Sequence, residues 1–123
     1  MSSQNDLGFV SLLATSSISA FVSVDLNSDG SISPATGAGG YRGVGVTQEG
    51  GIAGRYLNVK LWTAPGTQLL TVSPGHVVTI GSTYGISNGY VVQVATPGQA
   101  TASIEAFQTG VSASGIVLEF VKL

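Results

Sequence analysis

Cysteine is absent from this chain, and charge is scarce. Without cysteine there is no disulfide framework and no cysteine-built zinc site. The same absence fits reducing and oxidising compartments alike. Only 8% of the 123 residues are charged, four Lys+Arg against six Asp+Glu, for a net charge of −2. Four scattered cations do not neutralise a run of phosphates, so nucleic acid is not an expected partner. Long apolar runs are missing too. None approaches the ~20 residues of a membrane-crossing helix. The glycines follow no three-residue period, which excludes collagen. Ahead of the apolar patch Leu7–Ala14 there is no basic segment, and Asp6 stands where a signal peptide would carry Lys or Arg.

What is present is apolar and rich in glycine. Hydrophobic residues make up 43%, glycines number 18, and the mean hydropathy is +0.40. That composition excludes a disordered chain, which needs low hydrophobicity and high charge. The length suits one domain with a modest core. Soluble surfaces usually carry about 25–35% charged residues. A chain this short of charge is expected to cover part of its surface in an oligomer or against a partner.

The patterning is β throughout. From Ile18 to Leu26, alternation puts Ile18, Ala20, Val22, Val24 and Leu26 on one face. Between Tyr56 and Trp62, Leu57, Val59 and Leu61 oppose Asn58 and Lys60. Residues 76–80, 90–95 and 116–121 are further candidates, bounded by Gly, Pro, Ser or Asn. Helical spacing is poor everywhere, with Asp6–Ala14 the best of a weak set. Eight or nine short strands are expected, in a small sandwich or barrel. Glycines 54, 75, 98 and 115 each precede a strand, two of them after proline, as tight turns require. Their spacings of 21, 23 and 17 residues argue against a solenoid.

Residues that carry chemistry are few. His76 is the only histidine, and no G-x-S-x-G elbow accompanies it; Gly110-Val-Ser112-Ala-Ser114-Gly115 misplaces the second glycine. Ser73-Pro-Gly-His76 reads as a turn entering a strand. Nothing in the spacing of Glu49, Glu105 and Glu119 brings two carboxylates together for acid–base work. Asp25-Leu-Asn27-Ser-Asp29-Gly30-Ser-Ile32 matches the start of a calcium loop, with oxygen ligands at alternate positions. Thr36, however, stands where the bidentate Glu belongs. No helix precedes the loop, and Pro34 prevents one from starting after it. A hairpin turn at Asn27–Gly30 is the expected reading, with no metal. Gly37–Gly43 lacks the Lys and helix of a phosphate loop and reads as a flexible connection. Trp62, Tyr56, Tyr84 and Tyr90 would make a sugar platform if exposed together, and fill a core or interface otherwise.

One family likeness emerges. Gly43-Val-Gly-Val46-Thr-Gln-Glu49-Gly-Gly-Ile-Ala-Gly54-Arg-Tyr-Leu-Asn-Val59-Lys-Leu61 resembles a motif of small capsid decoration (cement, head-stabilising) proteins of tailed bacteriophages. There a G-V-A-like strand is followed by small residues, a Gly and a V-x-V-x-L strand. Ser73-Pro-Gly75-His-Val-Val78 is similar to the family's A-G-D-x-V turn. Ala102–Ala106 followed by Val111–Phe120 is similar to its closing strands. The likeness runs in order over residues 20–123, with Ser103 where the family often has a smaller residue. It implies a compact β-tulip-type domain, usually trimeric, bound outside a phage head, with no catalysis and no cofactor.

The expectation is therefore an all-β protein, a sandwich or barrel over residues 18–123, with residues 1–17 as an arm or an added strand. Its expected partners are a major capsid protein and its own copies in a homotrimer, with no membrane. It would sit on the virion surface after assembly in the bacterial cytoplasm. The apolar residues Leu7, Phe9, Val10, Leu12 and Leu13 are the expected capsid contact, since such a patch on a free arm is a liability in water. An extended arm could add backbone hydrogen bonds to a shell strand. The alternatives are a trimeric tail-fibre or host-recognition (carbohydrate-binding) domain and a calcium-dependent carbohydrate-binding domain. An enzyme is the remotest class.

Overall fold

A computed structural model describes residues 8–93, 103–111 and 115–122. Among them are twelve short strands: β1 (Phe9–Leu13), β2 (Ser23–Leu26), β3 (Ile32–Pro34), β4 (Gly45–Thr47), β5 (Tyr56–Leu61), β6 (Gln68–Val72), β7 (Val77–Val78), β8 (Thr83–Ser87), β9 (Tyr90–Val92), β10 (Ile104–Ala106), β11 (Gly110–Val111) and β12 (Ile116–Lys122). The one helical element among the described residues is a single 3-10 turn, Ala38–Gly40. The all-β expectation holds, and the barrel form is the one found. No helix among the described residues is long and apolar enough to cross a membrane.

The strands form two main units. The first is a five-stranded antiparallel sheet in the order β1-β5-β4-β2-β3. Ala14, just past β1, bridges Ile32 in β3, and Thr15 N–H donates to the Ile32 carbonyl at 3.1 Å. The two outer strands of the sheet thus meet, and the sheet curls on itself. The second unit is a closed barrel, β10-β12-β6-β9-β8, with a two-stranded ribbon of β11 and β7 beside it. Closure removes the open edges that invite uncontrolled strand pairing.

Each unit has its own core. In the sheet, Val22, Val24, Ile32, Leu57 and Val59 are buried, with Val10 and Leu12 packed against them. In the barrel, Leu70, Val72, Ile104, Leu118 and Phe120 are buried together, and Tyr84 meets Phe120 edge-on at 6.4 Å and 80°. Trp62, Val46 and Ala35 belong to the barrel's core although they come from the sheet's stretch of chain. The two units therefore share a wall. Across it, Gln68 donates its side-chain amide to the carbonyls of Lys60 (2.7 Å) and Leu61 (3.3 Å). Arg42 stacks over Trp62 at 5.7 Å and donates from Nε to the Ser103 carbonyl at 3.1 Å.

Several expectations are corrected. The alternating run 18–26 is no single strand. Phe21 turns it at φ 58°, a left-handed conformation rare outside glycine, and β2 starts only at Ser23. There the chain passes between the units: Phe21 N–H donates to Thr47 and its carbonyl accepts from Thr71 in β6. Leu26, read as inward, is 50% exposed. The Gly37–Gly43 stretch is held closely at both its end glycines, while Tyr41 between them is 55% exposed. A Cβ on Gly37 would lie 1.7 Å from the Ile86 carbonyl oxygen of β8, so only glycine fits. The turn glycines 54, 75 and 115 do adopt positive φ; Gly98 falls outside the described residues.

Candidate docking faces

Strand β1 places four of the N-terminal apolar residues, all of them half-buried. It is the outermost strand of the sheet, paired to β5 in the register Phe9–Lys60, Ser11–Asn58, Leu13–Tyr56. Alternation then divides its side chains. Val10 and Leu12 point into the sheet's core, while Phe9 and Leu13 share the outer face with exposed Ser11. Leu7 lies outside the described residues. Of the five expected contact residues, Phe9 and Leu13 are thus brought to a surface and Val10 and Leu12 are not.

That outer face has apolar neighbours the N-terminal reading missed. Tyr56, across from Leu13, is 67% exposed. Ile52 is 64% exposed in the turn before β5, and that turn is tied to β1 by Gly54 N–H to the Ala14 carbonyl at 2.9 Å. Charged side chains border the patch. Lys60 reaches the Thr67 carbonyl at 2.7 Å, and a Glu49 oxygen accepts from the Asn58 amide at 3.1 Å. Tyr56 had a sequence signal of its own, a large aromatic on the polar side of an alternating strand.

The opposite character appears at the ribbon. No Asp, Glu, Lys or Arg occurs between Leu61 and Ile104, nor between Ala106 and Leu118. Seven of the ten charged residues lie in the first 60 positions. The barrel's ribbon end is therefore built almost wholly from neutral residues.

The residues suspected of chemistry are occupied structurally. His76 Nδ1 accepts the Gln93 amide at 3.0 Å, and Gln93 Oε1 accepts the Val77 amide at 3.3 Å, a reciprocal clamp that pins β7 beside the chain leaving β9. Glu119 accepts from the Thr67 hydroxyl. Glu105 lies opposite Val121, so it and Glu119 are diagonal neighbours on the outside of β10 and β12. No cluster of three or more His, Cys, Asp or Glu side chains suited to a metal occurs among the described residues.

The Asp25–Gly30 stretch is the hairpin between β2 and β3, closed by Gly30 N–H to the Asn27 carbonyl at 2.9 Å. Asp25 Oδ2 accepts the Thr36 amide at 3.2 Å, and its buried Oδ1 has no protein partner. Asn27 Oδ1 accepts from Ser33 at 3.3 Å. Asp29 Oδ1 accepts both the amide (3.0 Å) and the hydroxyl (2.5 Å) of Ser31. These bonds, the hydroxyl's first, hold the Asp29 carboxyl below its ordinary range. Among the aromatics, Trp62 and Tyr84 are core residues at 5% and 6% exposure, so the four do not form one exposed platform.

Comparison with known proteins adds a likeness in fold. No protein-family model matches the sequence, and no curated protein does either. The structure is similar to that of the head fiber gp8.5 N base in bacteriophage phi29. The TM-score is 0.61 at 18% identity, over 94% of this chain and 96% of that one. The likeness extends over essentially all of both chains, so the curled sheet and the barrel are matched as one arrangement.

Proposed function

We propose that this protein is a structural component of a phage head, bound to the outside of the capsid as a decoration protein that braces contacts between major capsid proteins. The observation that carries the reading is the whole-length likeness in fold to a phage head-fibre base. The segments over β4–β5 and β10–β12 that resemble decoration-protein motifs support the same reading, and so does a composition poor in charge. In this reading the outer face of β1 and β5 meets the shell: Phe9, Leu13, Ile52 and Tyr56 supply apolar contact, and Arg55, Lys60 and Glu49 supply a polar rim. Copies act as a homotrimer, and no catalytic step or cofactor is involved. A second reading, in which the domain is the base on which a fibre stands, is favoured by what the phi29 protein is.

The test is co-sedimentation of the purified chain with heads of the phage that encodes it, prepared without this protein. Saturable binding is expected, weakened at least tenfold by Tyr56→Asp and by Leu13→Asp. Absence of the chain from the pellet at saturating concentration would refute the proposal.

A further inference from the structure

We propose that the seam closing the barrel, between β6 and β9, is an acid-sensitive latch worked by the imidazole of His76. The barrel has five strand pairings. Four are antiparallel and run over two to five register pairs. The fifth, β6 with β9, is parallel and has a single register pair, Val72 with Val91. Ser73 N–H, next along, donates to the Val91 carbonyl at 2.9 Å. A parallel ladder would continue from the Gln93 amide to the Ser73 carbonyl. That carbonyl already accepts His76 N–H at 3.2 Å, which closes the turn before β7. The Gln93 amide goes instead to His76 Nδ1 at 3.0 Å, and Gln93 Oε1 accepts the Val77 amide at 3.3 Å. A side chain that titrates thus stands where the ladder would have a backbone carbonyl, which does not.

Accepting an amide at Nδ1 requires the neutral ring with its proton on Nε2. Protonation puts a hydrogen on Nδ1, and two donors then face each other, so the ring and the Gln93 amide must part. The surroundings offer the imidazolium no compensating anion. Residues 62–103 and 107–118, which supply β6 to β9, β11 and the turns beside them, contain no Asp, Glu, Lys or Arg. Their other titratable groups are Tyr84, whose hydroxyl accepts the Thr79 amide at 2.8 Å, and Tyr90, packed against the sheet's core. On β12, Glu119 lies opposite Leu69 rather than at the Val72 end of β6, and its carboxylate accepts from the Thr67 hydroxyl. Lys122 stands opposite Ile104, and Glu105 on β10 stands opposite Thr83 and Val121. The latch is therefore shut while His76 is neutral and opens as the pH falls. Its opening is local. Gln93 lets go of β7 at the barrel's least paired seam, and the four antiparallel pairings remain.

Amide hydrogen exchange of the full chain, read by NMR at about pH 7.5 and about pH 5, tests the latch. The Gln93 and Val77 amides are compared with that of Ala106, which donates to the Ser82 carbonyl at 2.9 Å elsewhere in the barrel. The ratio cancels the intrinsic pH dependence of exchange. Relative to Ala106, both amides should lose about tenfold of their protection at the lower pH. His76→Asn puts a carboxamide oxygen, which accepts but does not titrate, in the place of Nδ1, and its ratios should stay level. The imidazole nitrogen shifts of the unaltered protein, which need no substitution, should show Nδ1 unprotonated at the higher pH. A ring protonated at Nδ1 there would overturn the inference. So would ratios that acid leaves unchanged in the unaltered protein, as a general loosening of the fold would give, or the same acid loss in His76→Asn.

Discussion

The amide of Ser23 donates to the carbonyl of Gly89 at 2.9 Å, and this bond inserts the tip of the β8–β9 hairpin into the curled sheet. Gly89 in turn donates to the Ala35 carbonyl at 2.8 Å, and Ala35 donates to the Ser23 carbonyl at 2.9 Å. Asn88 and Gly89 both have positive φ, 53° and 85°, as a two-residue hairpin turn with strand-matched twist demands. A Cβ on Gly89 would stand 2.3 Å from Val22 Cγ1 and 2.9 Å from the Ser23 oxygen. Gly89→Ala is therefore expected to destabilise the fold by at least about 1–3 kcal/mol, from backbone strain and overpacking together. Urea denaturation measures it; an unchanged midpoint would mean that the hairpin tip is not seated there.

Gln68 offers a second check on the shared wall. It is 3% exposed, and its amide satisfies two carbonyls at the end of β5. Gln68→Ala should lower stability by about 1–3 kcal/mol, from the lost bond to the Lys60 carbonyl and the cavity left by the side chain; the Leu61 carbonyl keeps the Ala64 amide at 3.0 Å. Gln68→Met, which keeps the bulk but not the donor, should restore the cavity's share of the loss and not the bond's.

Arg42 joins the loop before β4 to both Trp62 and Ser103. Arg42→Ala is expected to cost about 1 kcal/mol or more, and Arg42→Lys should recover only part, because a compact ammonium neither stacks like a planar guanidinium nor reproduces its fork. Tryptophan fluorescence should report the change, as the ring loses its cover.

Asp29 predicts an acid-side effect of definite sign. Its folded carboxyl titrates below the ordinary 3.8 because Ser31 bonds the ionised form. The stabilisation is present above that value and is lost as pH falls through the lower folded value. Asp29→Asn should lower stability at neutral pH, where this contribution is present, and converge on the unaltered protein at acid pH, which flattens this part of the stability–pH curve. Calcium should not raise the melting temperature of the unaltered protein, since Asp29 Oδ1 and Asn27 Oδ1 already accept from Ser31 and Ser33 and no cluster of three metal-ligating side chains occurs among the described residues. A rise of several degrees would show that the loop does bind the ion.

Much of this architecture is visible in the residues alone. Alternation of Leu57 and Val59 against Asn58 marks β5, and Asn27–Gly30 marks the first hairpin. Asn88-Gly89 between two short apolar runs is a hairpin signal of the strongest kind. The break at Phe21 is not legible, because its unusual φ is set by partners distant in sequence, Thr71 in β6 and Thr47. Nor is the parallel contact of β6 with β9, a single register pair at Val72 and Val91 that joins distant segments. For the docking faces, the apolar N-terminus announces itself, but which of Phe9, Val10, Leu12 and Leu13 reach the surface depends on pairing with β5. The stretches 62–103 and 107–118 are plainly without charge in the sequence, yet only the fold brings β7 and β11 together as a ribbon.

The proposal that this protein sits on the outside of a phage head is open to direct test. Its most direct test is a difference map from cryo-electron microscopy of heads with and without the purified chain. Discrete added density is expected at repeated positions on the outer surface, fitted by the curled sheet and barrel with the β1–β5 face toward the shell. Heads that show no added density at saturating protein would contradict it.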